Sequence, residues 1–181
     1  MYAYHVATDR PMEAGQSFLL DEAHPNGVGR RVRARMDAVW EIYAHPERWD
    51  AAQLEHHTSV ALRELALEEV RRARYPEYPS RMGCLYVSRT LQEALYWGEY
   101  FAGLGRPTYS VVRLRIEGKC FVGNAARCFP GQTDRAENLR LAELYWANPP
   151  LRPGEASVEE VLVDGRITAL EIVRRIDANL D

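Results

Sequence analysis

Residues 157–173 read Ser-Val-Glu-Glu-Val-Leu-Val-Asp-Gly-Arg-Ile-Thr-Ala-Leu-Glu-Ile-Val, and this stretch is the strongest indicator of the fold class. Apolar and β-branched residues lie on both sides of Asp164-Gly165, a dipeptide typical of a two-residue turn between antiparallel strands. The stretch therefore predicts a β-hairpin. Glu159 and Glu160 interrupt its first strand, and only one of them faces a given side because successive side chains of a strand alternate.

A carboxylate inside an apolar strand costs free energy unless it is paired, hydrogen-bonded or placed at the edge of a cleft. Glu159 and Glu160 therefore mark a place to look for chemistry. From the residues alone, two plainer roles stay open. The carboxylates blunt the edge of a sheet, or Glu160 pairs with Arg166 across the predicted hairpin.

Composition limits the class of protein. The 181 residues fit one domain spanning 1–181, and the apolar fraction of 46% is typical of a chain with a packed core. The net charge of −3 gives no reason to expect general attraction to nucleic acid or anionic lipid.

The cysteines and the apolar runs indicate the compartment. Cys84, Cys120 and Cys128 cannot all pair and form no CxxC motif, which argues against a zinc site and favours a reducing, cytoplasmic environment. The first residues lack the basic and apolar regions of a signal peptide, so we expect none. No apolar run approaches the ~20 residues of a membrane span, so we expect no membrane partner.

Along the chain, strands and helices mix without the regular alternation of a doubly wound sheet, which favours an α+β fold with mainly antiparallel strands. Glu117-Gly118 is predicted to turn one strand back onto a short partner that begins at Cys120. Thr90, followed by Glu93, predicts a helix that starts with a capping box. The predicted strands are 2–8, 18–20, 83–88, 108–116, 120–122 and the hairpin; the predicted helices begin near 33, 50, 90 and 133, and 21–31 is predicted to be a loop.

Charged clusters on the helices are predicted to be solvated faces, with phosphate contact as the less favoured alternative. The two basic clusters are Arg30-Arg31-x-Arg33-x-Arg35 and Arg71-Arg72-x-Arg74. His56-His57 with Glu64 and Glu68 is a candidate metal site because His57 and Glu64 lie two turns apart on one helical face, but no HExxH motif is present, so a solvated face is favoured.

Three stretches far apart in sequence suit a nucleotide site: Tyr4-His5, Leu85-Tyr86-Val87-Ser88 and Glu159-Glu160. A histidine can donate to a ribose hydroxyl, and a tyrosine ring can stack on a flat base. A carboxylate can hold a ribose hydroxyl and stabilise nearby positive charge. Each residue also has a structural alternative, such as core packing for His5 and Tyr86 or helix capping for Ser88.

In this order, the three stretches resemble the motifs of the ADP-ribosyltransferase fold, a split, mostly antiparallel β-sheet core flanked by helices. The segment Glu-Glu-Val-Leu-Val-Asp-Gly-Arg-Ile is similar to the late motif of bacterial DNA-targeting ADP-ribosyltransferases, and this alignment selects Glu160. The chain lacks the late Glu-x-Glu of arginine-specific members, so the acceptor stays open: a protein, a nucleic acid or water.

The resemblance implies an NAD-dependent ADP-ribosyltransferase, or an NAD-cleaving relative, that uses NAD as its substrate. Glu160 and His5 are the implied catalytic residues, and the three side chains His5, Tyr86 and Glu160 are expected to converge on one cleft. His5 would also anchor NAD, and a neutralising partner protein is possible by analogy. The implied NAD-binding residues besides His5 are Tyr4, Tyr86, Ser88 and, for the pyrophosphate, Arg81 or Arg10.

Residues 4–176 also resemble an uncharacterised bacterial domain family. The resemblance runs through Tyr-His-Val-Ala-Thr-Asp-Arg, His-Pro-Asn-Gly-Val, Leu-Glu-His-His-Thr, Tyr-Pro-Ser-Arg-Met, Cys-Leu-Tyr-Val-Ser and Gly-Arg-Pro-Thr-Tyr, among other segments. Two alternatives to the transferase stay open. One is a non-catalytic nucleotide- or partner-binding module on the same fold, and the other is an RNA-end-processing phosphotransferase relative, which would need a more basic cleft.

Overall fold

The computed structural model describes residues 1–8 and 10–176, and it confirms the α+β class with two antiparallel sheets. One sheet has four strands in the order β1-β4-β7-β2, and the other has three in the order β3-β6-β5. The strands are β1 Tyr2–Ala7, β2 Ser17–Leu20, β3 Leu85–Val87, β4 Ser110–Glu117, β5 Cys120–Asn124, β6 Glu159–Val163 and β7 Gly165–Arg175. The α-helices are α1 Gly27–Arg33, α2 Met36–Ala44, α3 His56–Arg74, α4 Leu91–Gly103 and α5 Arg135–Ala147, and the short turn Arg81–Gly83 is a 3₁₀ helix.

A long two-stranded ribbon joins the two sheets. β4 pairs with β7 in the four-stranded sheet, and β5 pairs with β6 in the three-stranded sheet. Both strands of the ribbon pass from one sheet to the other side by side. β4 continues into β5 through Gly118 and Lys119, and β6 continues into β7 through Asp164. Lys119 N donates to Asp164 Oδ1 (2.7 Å), and Asp164 N donates to the carbonyl of Lys119 (3.2 Å), so the two crossings are bonded to each other.

The predicted hairpin at Asp164-Gly165 is therefore wrong, and so is the predicted pairing of β5 with β4. Both turn signals contain a glycine that the fold requires. At these glycines the paired strands bend from one sheet into the other, and the chain does not reverse its direction. A Cβ atom on Gly118 would lie 2.1 Å from the carbonyl oxygen of Asp164, and Gly165 has a φ of +81°. The glycines are needed because the two backbones are in direct contact where they cross between the sheets. From the sequence alone, such a glycine looks the same as the glycine of a tight turn.

Each face of the three-stranded sheet has its own apolar core. Val161 and Val163 pack between the sheets with Ala3, Ala7 and residues of β4 and β7. On the opposite face, Leu162 packs in a core formed mainly with α3 and α5. Helix α4 covers the four-stranded sheet from its outer side. The strand alternation thus assigns β6 side chains to two separate environments.

The helix boundaries differ from the predicted ones where a capping side chain decides them. α1 begins inside the predicted loop because Asn26 accepts a hydrogen bond from Gly29 N, and α3 begins at His56 because Glu55 caps it. Asp134, not Thr133, caps α5. The predicted capping box of Thr90 and Glu93 is confirmed.

We predict that Gly118→Ala lowers the free energy of unfolding by about 2–3 kcal/mol, because the new methyl group must displace the backbone of the other crossing. Chemical denaturation measures this change. The matched control is Gly103→Ala, where no atom lies within 4 Å of the added Cβ. Equal stability of the two variants would show that the crossings are not in close contact.

Candidate functional site

The two sheets meet at the edges of β1 and β3, which bring together two of the three candidate stretches. Tyr4 N donates to the carbonyl of Ser88 (2.9 Å), and Ser88 N donates to the carbonyl of Tyr4 (2.8 Å). His5 Nδ1 donates to the carbonyl of Tyr86 (2.8 Å), which assigns a proton to that nitrogen. Ser88 contributes its main chain to this contact, while Thr90 caps the following helix.

Tyr86 and Glu160 project from the same face of the three-stranded sheet. Tyr86 is directly opposite Leu162 in the register, and Glu160 lies two residues before Leu162 on β6, so the pleat gives all three one orientation. His5 shares its face of β1 with Ala3 and Ala7, which pack between the sheets. The structure therefore joins Tyr86 with Glu160, and it places His5 at the sheet edge instead of in one convergent triad.

Arg81 is the centre of the site, and its guanidinium lies between two carboxylates. Its Nη1 donates to Glu160 Oε1 (2.8 Å) and to Tyr145 Oη (2.6 Å), and its Nε donates to Glu64 Oε2 (3.0 Å). The Tyr145 hydroxyl in turn donates to Glu160 Oε1 (2.6 Å). Two donors thus fix one oxygen of Glu160, and the plainer alternative, in which Glu160 pairs with Arg166 across a hairpin, is wrong.

Aromatic rings flank the same guanidinium. Arg81 Cζ lies 5.0 Å from the ring centroid of Tyr145 and 5.5 Å from that of Tyr86, within cation–π range. Tyr145 is fully buried, whereas the Tyr86 side of the cluster reaches solvent, with 36% of Tyr86 exposed. The arrangement presents an ordered carboxylate and a partly open aromatic ring on one surface.

Electrostatics keep this cluster charged. Burial alone would lower the pKa of Arg81, but the nearby acidic groups, with Glu64 as the largest contributor, raise it well above its ordinary value. Burial and Glu160 raise the pKa of Tyr145 well above its ordinary value. The Tyr145 hydroxyl is therefore neutral near neutral pH, and it can donate a hydrogen bond to Glu160.

The predicted solvated face of α3 is wrong at Glu64, Glu68 and Arg71, which are buried. Glu64 accepts hydrogen bonds from Arg81 and from Arg63, whose Nη2 lies 2.8 Å from its Oε1. Arg71 Nη2 donates to Glu68 Oε1 (2.8 Å) and to a carboxylate oxygen of Glu22 (2.6 Å). These charges are buried because each one has an opposite partner.

The two adjacent glutamates of β6 have different environments. The Glu160 side chain is 10% exposed and is bound by Arg81, while the Glu159 side chain is 33% exposed and is bound by Arg89, with 2.8 Å from Arg89 Nε to Oε1. Arg10, the other candidate for the pyrophosphate, is exposed in the loop after β1. The alternation predicted for Glu159 and Glu160 is confirmed by these separate partners.

Sequence reasoning missed Glu64 and Tyr145 as members of the site. The signal for Glu64 was its spacing, because it lies three residues from both Ala61 and Leu67 on the buried stripe of α3. A carboxylate in such a stripe needs a buried partner. Tyr145 had no comparable signal, since an apolar helix face normally includes tyrosines as core residues.

The family of the chain follows from a comparison with protein-family models. The model described as a protein of unknown function, DUF2441, matches residues 3–175. The chain belongs to this family. Among curated proteins, no match was found. The description of the family assigns no activity to it.

Other features of this DUF2441 domain lie away from Glu160. A groove of about 470 Å³ between α2, α3 and α5 is lined by residues that include Trp40, Tyr43 and Leu139, and by none of the candidate residues. Within residues 1–8 and 10–176, no three His, Cys, Asp or Glu side chains gather as metal ligands. In the same described ranges, every helix is too short or too polar to cross a bilayer.

We predict that Arg81→Gln lowers the free energy of unfolding by about 3–5 kcal/mol, because it leaves Glu64 and Glu160 without the cation between them. Urea denaturation measures the loss. The matched control is Arg140→Gln, which breaks an exposed pair with Glu137 and should leave the unfolding midpoint unchanged. A stable Arg81→Gln variant would contradict the central role of the guanidinium.

Proposed function

We propose that this protein is an NAD-dependent ADP-ribosyltransferase, or a relative that cleaves NAD with water as the acceptor. The single observation that carries the proposal is the Glu160 carboxylate, held in one orientation by Arg81 and Tyr145 beside the partly exposed Tyr86. The two antiparallel sheets that meet at β1 and β3 support it, since the resembling enzymes use a split sheet of this kind.

Glu160 has one oxygen engaged and one directed elsewhere. Oε1 accepts from Arg81 and Tyr145, and no hydrogen bond to Oε2 is formed by the residues that the structure describes. In the proposed reaction, Oε2 accepts a ribose hydroxyl of NAD. The fixed negative charge then stabilises the positive charge that develops on the ribose, because a preorganised group needs no reorganisation during the reaction.

The bond that breaks joins the ribose anomeric carbon to the nicotinamide nitrogen. Its electron pair leaves with nicotinamide, which becomes neutral, and the ribose acquires oxocarbenium character. The acceptor, a protein group, a nucleic-acid group or water, then gives an electron pair to the anomeric carbon and loses a proton. Glu160 supplies charge stabilisation throughout and forms no covalent bond in this scheme.

In this proposal the remaining candidate residues contact other parts of NAD, with His5 at the edge between the sheets and apart from Tyr86 and Glu160. Tyr86 stacks on the nicotinamide ring, and His5 contacts a ribose hydroxyl from the edge where the sheets meet. Tyr4 and Ser88 form that edge through their paired main chains. The pyrophosphate is assigned to Arg10, because the three guanidinium nitrogens of Arg81 already contact protein groups.

We predict that Glu160→Gln reduces nicotinamide release from NAD about a hundredfold or more, while the affinity for NAD changes little. The amide keeps the shape of the side chain and removes the charge that the transition state requires. Release is measured by chromatography, with and without cell lysate as a source of acceptor. NAD binding is measured by calorimetry, and retained binding shows that the variant is folded.

Glu159→Gln is the matched control, since it removes an adjacent carboxylate whose partner is the exposed Arg89. It should retain nearly full release. Equal rates for wild type and Glu160→Gln would refute the role of Glu160. If wild-type protein shows no binding to NAD in calorimetry, the enzyme proposal fails as a whole.

A second prediction concerns Tyr86, which is 36% exposed. Tyr86→Ala should weaken NAD binding about 2- to 12-fold, because aromatic stacking contributes roughly 0.5–1.5 kcal/mol. Tyr86→Phe keeps the ring and should bind within about twofold of wild type. Calorimetry compares the two variants. Equal affinities of Tyr86→Ala and Tyr86→Phe for NAD would exclude stacking on Tyr86.

A non-catalytic binding module is the second candidate, and one observation favours it. Glu160 Oε1 is bonded as in a structural ion pair, with Arg81 and Tyr145 satisfying it without any ligand. In this case wild-type protein would bind NAD or another nucleotide and release no nicotinamide over hours. The calorimetry and release assays together separate the two candidates.

A further inference from the structure

Helix α1 carries three exposed arginines that have no acidic partner. Arg30, Arg31 and Arg33 form no ion pair with a carboxylate among the residues that the structure describes, whereas Arg35, just beyond the helix, pairs with Glu55. Most other arginines of the chain are bound to glutamates. The positive charge of α1 is therefore uncompensated, although the net charge of the whole chain is −3.

The structure holds two of these side chains in place. Arg30 Nη1 donates to the carbonyl of Pro25 (3.0 Å), and Arg33 Nη2 donates to the carbonyl of Glu22 (3.0 Å). A guanidinium has five N–H donors, so each keeps most of its donors for another partner. Because a carbonyl fixes the group without neutralising it, both arginines are oriented while their full charge is retained.

Glu22, whose carbonyl binds Arg33, has a side chain that is already occupied. The Glu22 carboxylate accepts from Arg71 Nη2 (2.6 Å) and from Arg72 Nη2 (2.8 Å). An anion that binds to α1 is thus attracted by three arginines, and the Glu22 carboxylate does not compete for them because it is bound to Arg71 and Arg72. Guanidinium groups bind phosphates through two parallel hydrogen bonds, which makes a phosphate a suitable anion.

We propose that α1, together with the loop 22–26, binds the sugar–phosphate backbone of a nucleic-acid strand. The exposed residues of α1 are arginines, and the apolar Val32 is buried, so the surface lacks the apolar or aromatic anchor that a protein partner normally uses. Charge complementarity with repeated phosphates supplies the binding free energy, and the contacts carry no base sequence information.

The position of α1 connects this surface to the candidate site. Asn26 Nδ2 donates to the carbonyls of Arg81 and Cys84, at 2.8 Å each, and Gly29 packs against the backbone of Met82. A strand bound on α1 would lie beside the segment that carries Arg81. The binding itself does not rest on the proposed function, because no step of it involves NAD or Glu160.

The test is fluorescence anisotropy with a labelled 20-nucleotide mixed-sequence single strand, as DNA and as RNA, over a range of salt concentrations. The variant Arg30→Gln/Arg31→Gln/Arg33→Gln should bind at least about tenfold more weakly at low salt. The slope of log affinity against log salt should fall by about 2, since each lost phosphate contact on a single strand contributes ~0.7.

The matched control is Arg48→Gln/Arg140→Gln/Arg174→Gln, which removes the same charge from arginines in exposed ion pairs and should bind like wild type. Equal losses in both variants would show an effect of net charge and overturn the proposal, as would no binding by wild type. Polyglutamate of equal length should compete poorly, and equal competition would indicate an acidic protein partner instead. Nicotinamide release without lysate, followed in parallel, should be equal in both variants.

Discussion

A buried guanidinium between two carboxylates is the interaction on which the rest of this structure depends. Arg81 connects Glu64 of α3 with Glu160 of β6, and through Tyr145 it also contacts α5. One side chain therefore joins α3 and α5 to the three-stranded sheet that they cover. Removing it would leave Glu160 with no cation and only the Tyr145 hydroxyl, and would leave Glu64 with Arg63 alone, which costs far more than losing an exposed pair.

The same arrangement has consequences for chemistry. A carboxylate that is held by two donors loses the freedom to rotate, and a fixed charge is more effective at stabilising a transition state than a mobile one. The stability of the fold and the proposed reaction thus both require the Glu160 carboxylate to be held in one orientation. The exposed pair of Glu159 and Arg89 lacks this support, which is why the two neighbouring glutamates serve as a matched comparison.

Local patterns predicted a large part of the fold, and long-range contacts account for most of what they missed. Local patterns of apolar and β-branched residues identified β1, β4 and β6, and the capping box located α4, because both signals lie within a few residues. The bond from Arg81 to Glu160 spans 79 residues, and no local pattern reveals it. The glycines at 118 and 165 were recognised as turns, but only the pairing shows that they bend a ribbon between two sheets.

The ribbon that joins the two sheets limits where the chain can gain or lose a residue. β4 leads into β5 and β6 leads into β7 through short crossings, and the pairing of β5 with β6 is unbroken, whereas the pairing of β4 with β7 contains two register shifts. A residue added to or deleted from β6 between Glu160 and Val163, without a compensating bulge, would turn Glu160 to the opposite face of its sheet and away from Arg81. Natural length variation should therefore collect in the loops between helices and at the bulges of the β4–β7 pair, while the β5–β6 pair keeps a constant length.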